Sequence, residues 1–106
     1  PQLIYFFNAP TEYNTKNIKN WDEGKSQCLQ QFVTDFKKIE IWNQENIHHQ
    51  FIQTTDSLKI LPKELLLPVR IALVGDQYGP DVFKIAAIIG EEESSKRIHT
   101  FILKYN

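Results

Sequence analysis

At 106 residues, with 42% hydrophobic and 24% charged side chains, the chain is sized for one soluble globular domain around a single core. Its formal net charge of −1 excludes a surface built for non-specific nucleic-acid binding, so any RNA contact has to come from a local patch. A lone cysteine, Cys28, excludes an internal disulfide and a cysteine-cluster zinc site, and no apolar run approaches the length that crosses a bilayer. The sequence begins at Pro1, contains no methionine and shows no leader, so it is expected to be a segment of a longer cytosolic protein.

Residues 1–7 are apolar and aromatic and fit either a short strand or the cut end of a helix, and 8–13, with Pro10, read as a turn. Asn14 is placed to cap a short helical turn through Asn20. Over residues 22–39, Cys28, Leu29, Phe32, Val33, Phe36 and Ile39 recur at three- and four-residue steps. That spacing predicts an amphipathic helix capped by Asp22, with Lys25, Gln30, Gln31, Lys37 and Lys38 outward or flanking and Trp21 folded over its first turn. A second helix is predicted over 44–58, capped by Asn43, with Ile47, Phe51, Thr55 and Leu58 as its stripe; Thr54 and Thr55 lower its propensity. Pro62 to Leu67 adds one turn, because the residue ahead of Pro68 avoids helical geometry.

The stretch Pro68 to Gly90 then reads as two short helices head to tail, opened by Pro68 and Pro80 and closed by Gly75 and Gly90. On that reading Arg70 lies in a first turn, where the macrodipole disfavours a cation, so it needs an outside partner. A last helix over 91–105 buries Ile98, Phe101 and Ile102. No sustained strand alternation appears. The expected fold is all-α, a compact cage of five to six short helices, forming a single domain over 1–106 with 1–13 as its junction to a preceding domain.

The string Pro68-Val69-Arg70-Ile71-Ala72-Leu73-Val74-Gly75, followed by Gly79-Pro80, Ile88-Ile89-Gly90-Glu91-Glu92 and Arg97-Ile98, resembles the C-terminal anticodon-binding domain of bacterial-type glutamyl-tRNA synthetases. Phe6-Phe7-Asn8-Ala9-Pro10-Thr11-Glu12-Tyr13 is a weaker echo of the run that opens that domain. The family pattern has leucine, threonine and lysine where this chain has Val69, Val74 and Glu91, and the missing lysine removes one candidate phosphate contact. The resemblance implies an anticodon-reading domain for tRNA(Glu), cut from a parent glutamate–tRNA ligase whose ATP and magnesium site and glutamate pocket belong to its other half. It implies no cofactor, catalytic group or metal in this segment, no DNA or membrane partner, and a monomeric fragment. The rival from another class is a helical protein-interaction module without RNA binding.

In the resemblance Arg70 matches an arginine that contacts anticodon bases, and a guanidinium suits both base edges and base faces. On the residues alone, an intramolecular ion pair of Arg70 with Asp76 or Asp81 is the commoner outcome. The positions of Gly79 and Val82 are implied to lie against the second and third anticodon bases, Gly79 by close backbone approach and Val82 as an apolar wall; a plain helix start is the alternative. Tyr78 adjoins them as a stacking surface, or merely covers a core edge. Lys63, Lys84 and Lys104 are phosphate contacts if they share the Arg70 face. Arg97 is read first as the ion-pair partner of Glu93, and Glu91 to Glu93 as first-turn acids that suit the helix dipole. His48, His49 and His99 lack metal-site spacing. A phosphate-cradling glycine loop and a catalytic constellation are both missing from the sequence.

Overall fold

The computed structural model describes residues 8–105, and all of its regular structure is helical. The reading of residues 1–7 lies outside the described residues. Five α-helices follow in order: α1 (Glu23–Asp35), α2 (Gln44–Ser57), α3 (Lys63–Val74), α4 (Val82–Ile89) and α5 (Glu91–Tyr105), with a 3-10 turn at Phe36–Lys38 after α1. Their packing closes a circuit: α1 lies on α2, α2 on α4, α4 on α3, α3 on α5, and α5 returns to α1. The expected cage is this ring, and its interior is filled by one apolar cluster.

Capping follows the local signals closely. The side chain of Asp22 accepts from the Lys25 amide at 2.9 Å, and that of Asn43 from the Asn46 amide at 2.8 Å. Phe32 of α1 meets Phe51 of α2 edge-on at 5.2 Å, and Phe51 meets Phe83 of α4 at the same distance. On the opposite side Phe101 of α5 takes Tyr13 and Trp21 edge-on at 5.2 and 5.9 Å. Cys28 is sealed in this core, where burial and, secondarily, the nearby Asp35 carboxylate push its thiol up to about 11, so it is a packing residue.

Four expectations fail for identifiable reasons. Pro68 does not open a helix; it lies inside α3, which begins at Lys63 after Pro62. A proline there removes only the donor to the Glu64 carbonyl, which is on an exposed residue and open to water, while burial of Leu65, Val69, Ala72 and Leu73 holds the segment helical. Pro80 likewise stands outside α4, whose cap is Asp81. Residues 14–20 form a strap without helix: the Asn14 amide donates to the Gly75 carbonyl at 2.8 Å and its side chain to Asp76 Oδ1 at 3.1 Å. Leu58 turns outward where the chain leaves α2 through Lys59 at φ +57°, and Thr54 takes the inward position.

Thr54 is held by a buried carboxylate. Asp35 accepts from Thr54 Oγ1 at 2.7 Å and from Gln31 Nε2 at 2.8 Å, with Lys38 Nζ at 3.2 Å. Burial by itself raises the pKa of this acid, but the hydrogen bonds from Thr54, Gln31 and Lys38 and the charge of Lys38 outweigh it and hold the carboxyl below its ordinary 3.8. A depressed folded-state pKa contributes stability that is fully present above the unfolded value and is lost as pH falls through the folded one. In urea melts, Asp35→Ala should therefore cost about 1–3 kcal/mol at pH 7, and its gap from the parent chain should close as pH falls below about 4.

Gly75 closes α3 in the left-handed region, at φ +83°. A Cβ there would lie 2.7 Å from the Glu12 carbonyl oxygen and 2.8 Å from Pro10 Cβ, because the strap crosses directly over this turn. Gly75→Ala should lower the stability by at least about 1–3 kcal/mol and detach the strap, visible as faster hydrogen exchange at the Asn14 amide.

Candidate nucleic-acid interface

The corner between α3 and α4 runs over residues 75–81 and is fastened from several directions. On its inner side Arg97, 2% exposed, donates from Nη1 to the Leu73 carbonyl at 2.8 Å and from Nε to Glu93 Oε2 at 2.7 Å. That guanidinium satisfies a carbonyl in the last turn of α3 from α5, so Arg97 is a core clasp and offers no surface to RNA. On the strap side the Asn17 side chain donates from Nδ2 to Gln77 Oε1. At the far end Asp81 Oδ1 accepts from the amides of Phe83 and Lys84 at 2.8 and 3.3 Å, completing the start of α4.

Arg70 lies about two turns into α3, beyond the reach of the N-terminal dipole, so its position carries no dipole penalty. Its partner is a carbonyl: Nη1 donates to Pro80 O at 2.5 Å. Asp76 and Asp81 do not pair with it, since Asp76 is occupied by Asn14 and the Gln77 amide and Asp81 by its two amides. The half-buried guanidinium is thus pinned at one nitrogen, and its other donors have no partner among the described residues.

Gly79 makes this contact possible. Its φ is +143°, and a Cβ built on it would stand 3.1 Å from Arg70 Nη1. The absent side chain lets the corner backbone settle against the guanidinium, and Tyr78, the residue before Gly79, is 72% exposed. The structure therefore brings Arg70 against Gly79 and Pro80, with the exposed Tyr78 next in the chain. Val82 it does not: the side chain is 3% exposed and packs in the core, so Val82 supplies no apolar wall.

Lys63 is on the same stripe of α3 as Arg70, seven residues and about two turns away, with Leu67 between them. Lys84 and Lys104 are exposed on α4 and α5. Asn14, read as a helix cap, and Asn17, not singled out, tie the strap to this corner through partners about sixty positions away. No signal in the local pattern points to them. His48 stacks on Phe83 at 4.5 Å, and among the described residues no group of three or more His, Cys, Asp and Glu side chains is arranged to hold a metal.

The family model described as anticodon binding domain matches residues 1–102, and the chain belongs to that family. It is 37% identical over 98 residues to a glutamate–tRNA ligase of Christiangramia forsetii, covering 92% of this chain and 19% of that protein. A glutamate–tRNA ligase of Clostridium kluyveri is 36% identical over 110 residues, covering 98% of this chain and 23% of the relative. The crystal structure of a glutamate tRNA ligase from Elizabethkingia meningosepticum, in complex with its amino acid, superposes with a TM-score of 0.87 at 24% identity over 97% of this chain and 20% of that one. The chain thus spans about a fifth of the length of the proteins it matches.

Arg70→Ala removes one partly exposed hydrogen bond and no ion pair, so it should cost only about 1 kcal/mol in urea unfolding. A loss several times larger would make Arg70 a structural residue of the corner.

Proposed function

We propose that the corner formed by Arg70, Gly79 and Tyr78 reads the anticodon loop of tRNA(Glu). The chain is then the anticodon-reading part of a cytoplasmic glutamate–tRNA ligase that joins glutamate to its tRNA with ATP. The observation that carries this reading is the guanidinium of Arg70, anchored to Pro80 O at 2.5 Å with its remaining donors free among the described residues, on a corner that also carries Tyr78, 72% exposed. Sequence-specific recognition of RNA targets unpaired bases, which are splayed out, stacked on aromatic or guanidinium planes and read along their edges. A fixed guanidinium loses less freedom on binding than a mobile one, so the Pro80 anchor raises its value as a reader.

Val82 takes no part in this reading, because the residue is committed to the core. The ATP and magnesium of the parent enzyme find no fitting donor set here: the sequence has no phosphate-cradling glycine loop, and the described residues hold no acidic or histidine cluster for a cation. The part of the reaction assigned to this chain is binding and selection of the tRNA, and the fragment is read as a monomer.

The test is an amide-shift titration of the chain with the anticodon stem-loop of tRNA(Glu) at moderate salt. Shifts should centre on Arg70 and on residues 78–82 and vanish with a scrambled loop. Tyr78→Ala should weaken binding by about 1–3 kcal/mol, the worth of one stacked base. Equal binding of both loops, or shifts confined to another face, would overturn the reading in favour of a protein-interaction module.

A further inference from the structure

Next to the corner lies an open cleft of about 230 Å³ between the strap and α3, lined among others by Asn17, Lys19, Lys25, Lys63, Glu64 and Leu67. Its floor is unusual for a charged residue. Lys25 is only 8% exposed, and its Nζ donates to the Asn20 carbonyl at 2.5 Å. Buried charges are ordinarily paired, because taking an ammonium out of water without a counter-charge is costly. Yet Lys25 forms no ion pair among the described residues, and neither do the exposed Lys19 and Lys63 on the rim. Glu64 is the single carboxylate on the cleft wall, against three ammonium groups. The cleft therefore concentrates positive charge in a chain whose overall balance is −1.

We infer that Lys19, Lys25 and Lys63 form a phosphate site that holds a backbone phosphodiester of the RNA whose bases meet the Arg70 corner. This rests on the reading of that corner as an RNA site, and two links join the places. Lys63, Leu67 and Arg70 follow one another along a single stripe of α3. Asn17, on the cleft wall, is hydrogen-bonded to Gln77, the neighbour of Tyr78. An RNA strand crossing the corner thus passes the cleft without a break in the surface. Contacts to phosphate fix register and add affinity, whereas contacts to bases select sequence, so the cleft and the corner have separable signatures.

The experiment compares the chain with the double variant Lys19→Gln/Lys63→Gln, since Lys25 also holds the strap and its removal risks the fold. Binding of the tRNA(Glu) anticodon stem-loop is followed across a salt series. The double variant should bind several-fold more weakly, with the slope of log affinity against log salt reduced by about 0.7 for each phosphate no longer neutralised. Shifts at Tyr78 and Arg70 should persist in it. An unchanged salt slope would overturn the site even while the corner goes on reading the loop. In a second arm, inorganic phosphate is titrated without RNA and the amides of residues 17–25 and 63–64 are followed. If phosphate moves them but the RNA slope does not change, the cleft takes free phosphate and its assignment to RNA fails. If the stem-loop does not bind at all, the corner reading fails, and the RNA phosphodiester site fails with it; the phosphate arm then shows only whether the cleft takes free anion.

Discussion

Two missing methyl groups set the shape of the α3–α4 corner, and with it the face proposed to read bases. At Gly75 the absent Cβ lets the strap carbonyl of Glu12 approach to a distance no side-chain carbon would tolerate. At Gly79 it lets the backbone close on the guanidinium of Arg70. The two contacts act on opposite sides of one short loop, so the loop is clamped between strap and helix. Arg97 completes the clamp from beneath by satisfying the Leu73 carbonyl. The desolvation cost of so many polar groups at one corner is met by full pairing: no buried side-chain nitrogen or oxygen among the described residues lacks a partner.

The ring of helices explains why the clamp holds. Each helix packs on two neighbours in a closed circuit, so no helix can swing without opening contacts at both of its flanks. The corner joins α3 to α4, which are adjacent in that circuit, and α5 touches both. A loop is ordinarily mobile, but this one is held by hydrogen bonds from two elements outside it, the strap and α3. Preorganisation of this kind is the structural source of affinity when few contacts are available.

Much of this was legible in the sequence, and the misses share a cause. The periodicity of Cys28, Leu29, Phe32 and Phe36 and the caps Asp22 and Asn43 define α1 and α2 locally, so pattern and structure agree. Gly75 and Gly90 mark the ends of α3 and α4 for the same reason. Pro68 misled because a local rule about prolines competes with burial of the residues around it, and burial won. Val82 misled because the residue after a cap is as free to face inward as outward, and only the position of α2 and α5 decides. Lys25 was read as outward or flanking, yet the strap folds over it. The strap itself joins residues about sixty apart, which no local pattern encodes.

Charge distribution gives the last step. A chain with net charge −1 gains little from long-range attraction to RNA, and beyond a Debye length of about 8 Å in physiological salt its acids and bases largely cancel. Recognition must then operate at contact, where individual groups are partly shielded from water and salt. Arg70, half-buried and anchored, and Lys25, buried beneath the strap, are the cations whose environments meet that condition on this side of the molecule. Both are held by a backbone carbonyl, which neutralises no charge, and so both keep their full electrostatic reach for a ligand. A carboxylate in either place would have given a more self-sufficient fold and a weaker reader. The same choice at Arg97, where Glu93 supplies the counter-charge, produces the opposite result: a guanidinium committed entirely to the core.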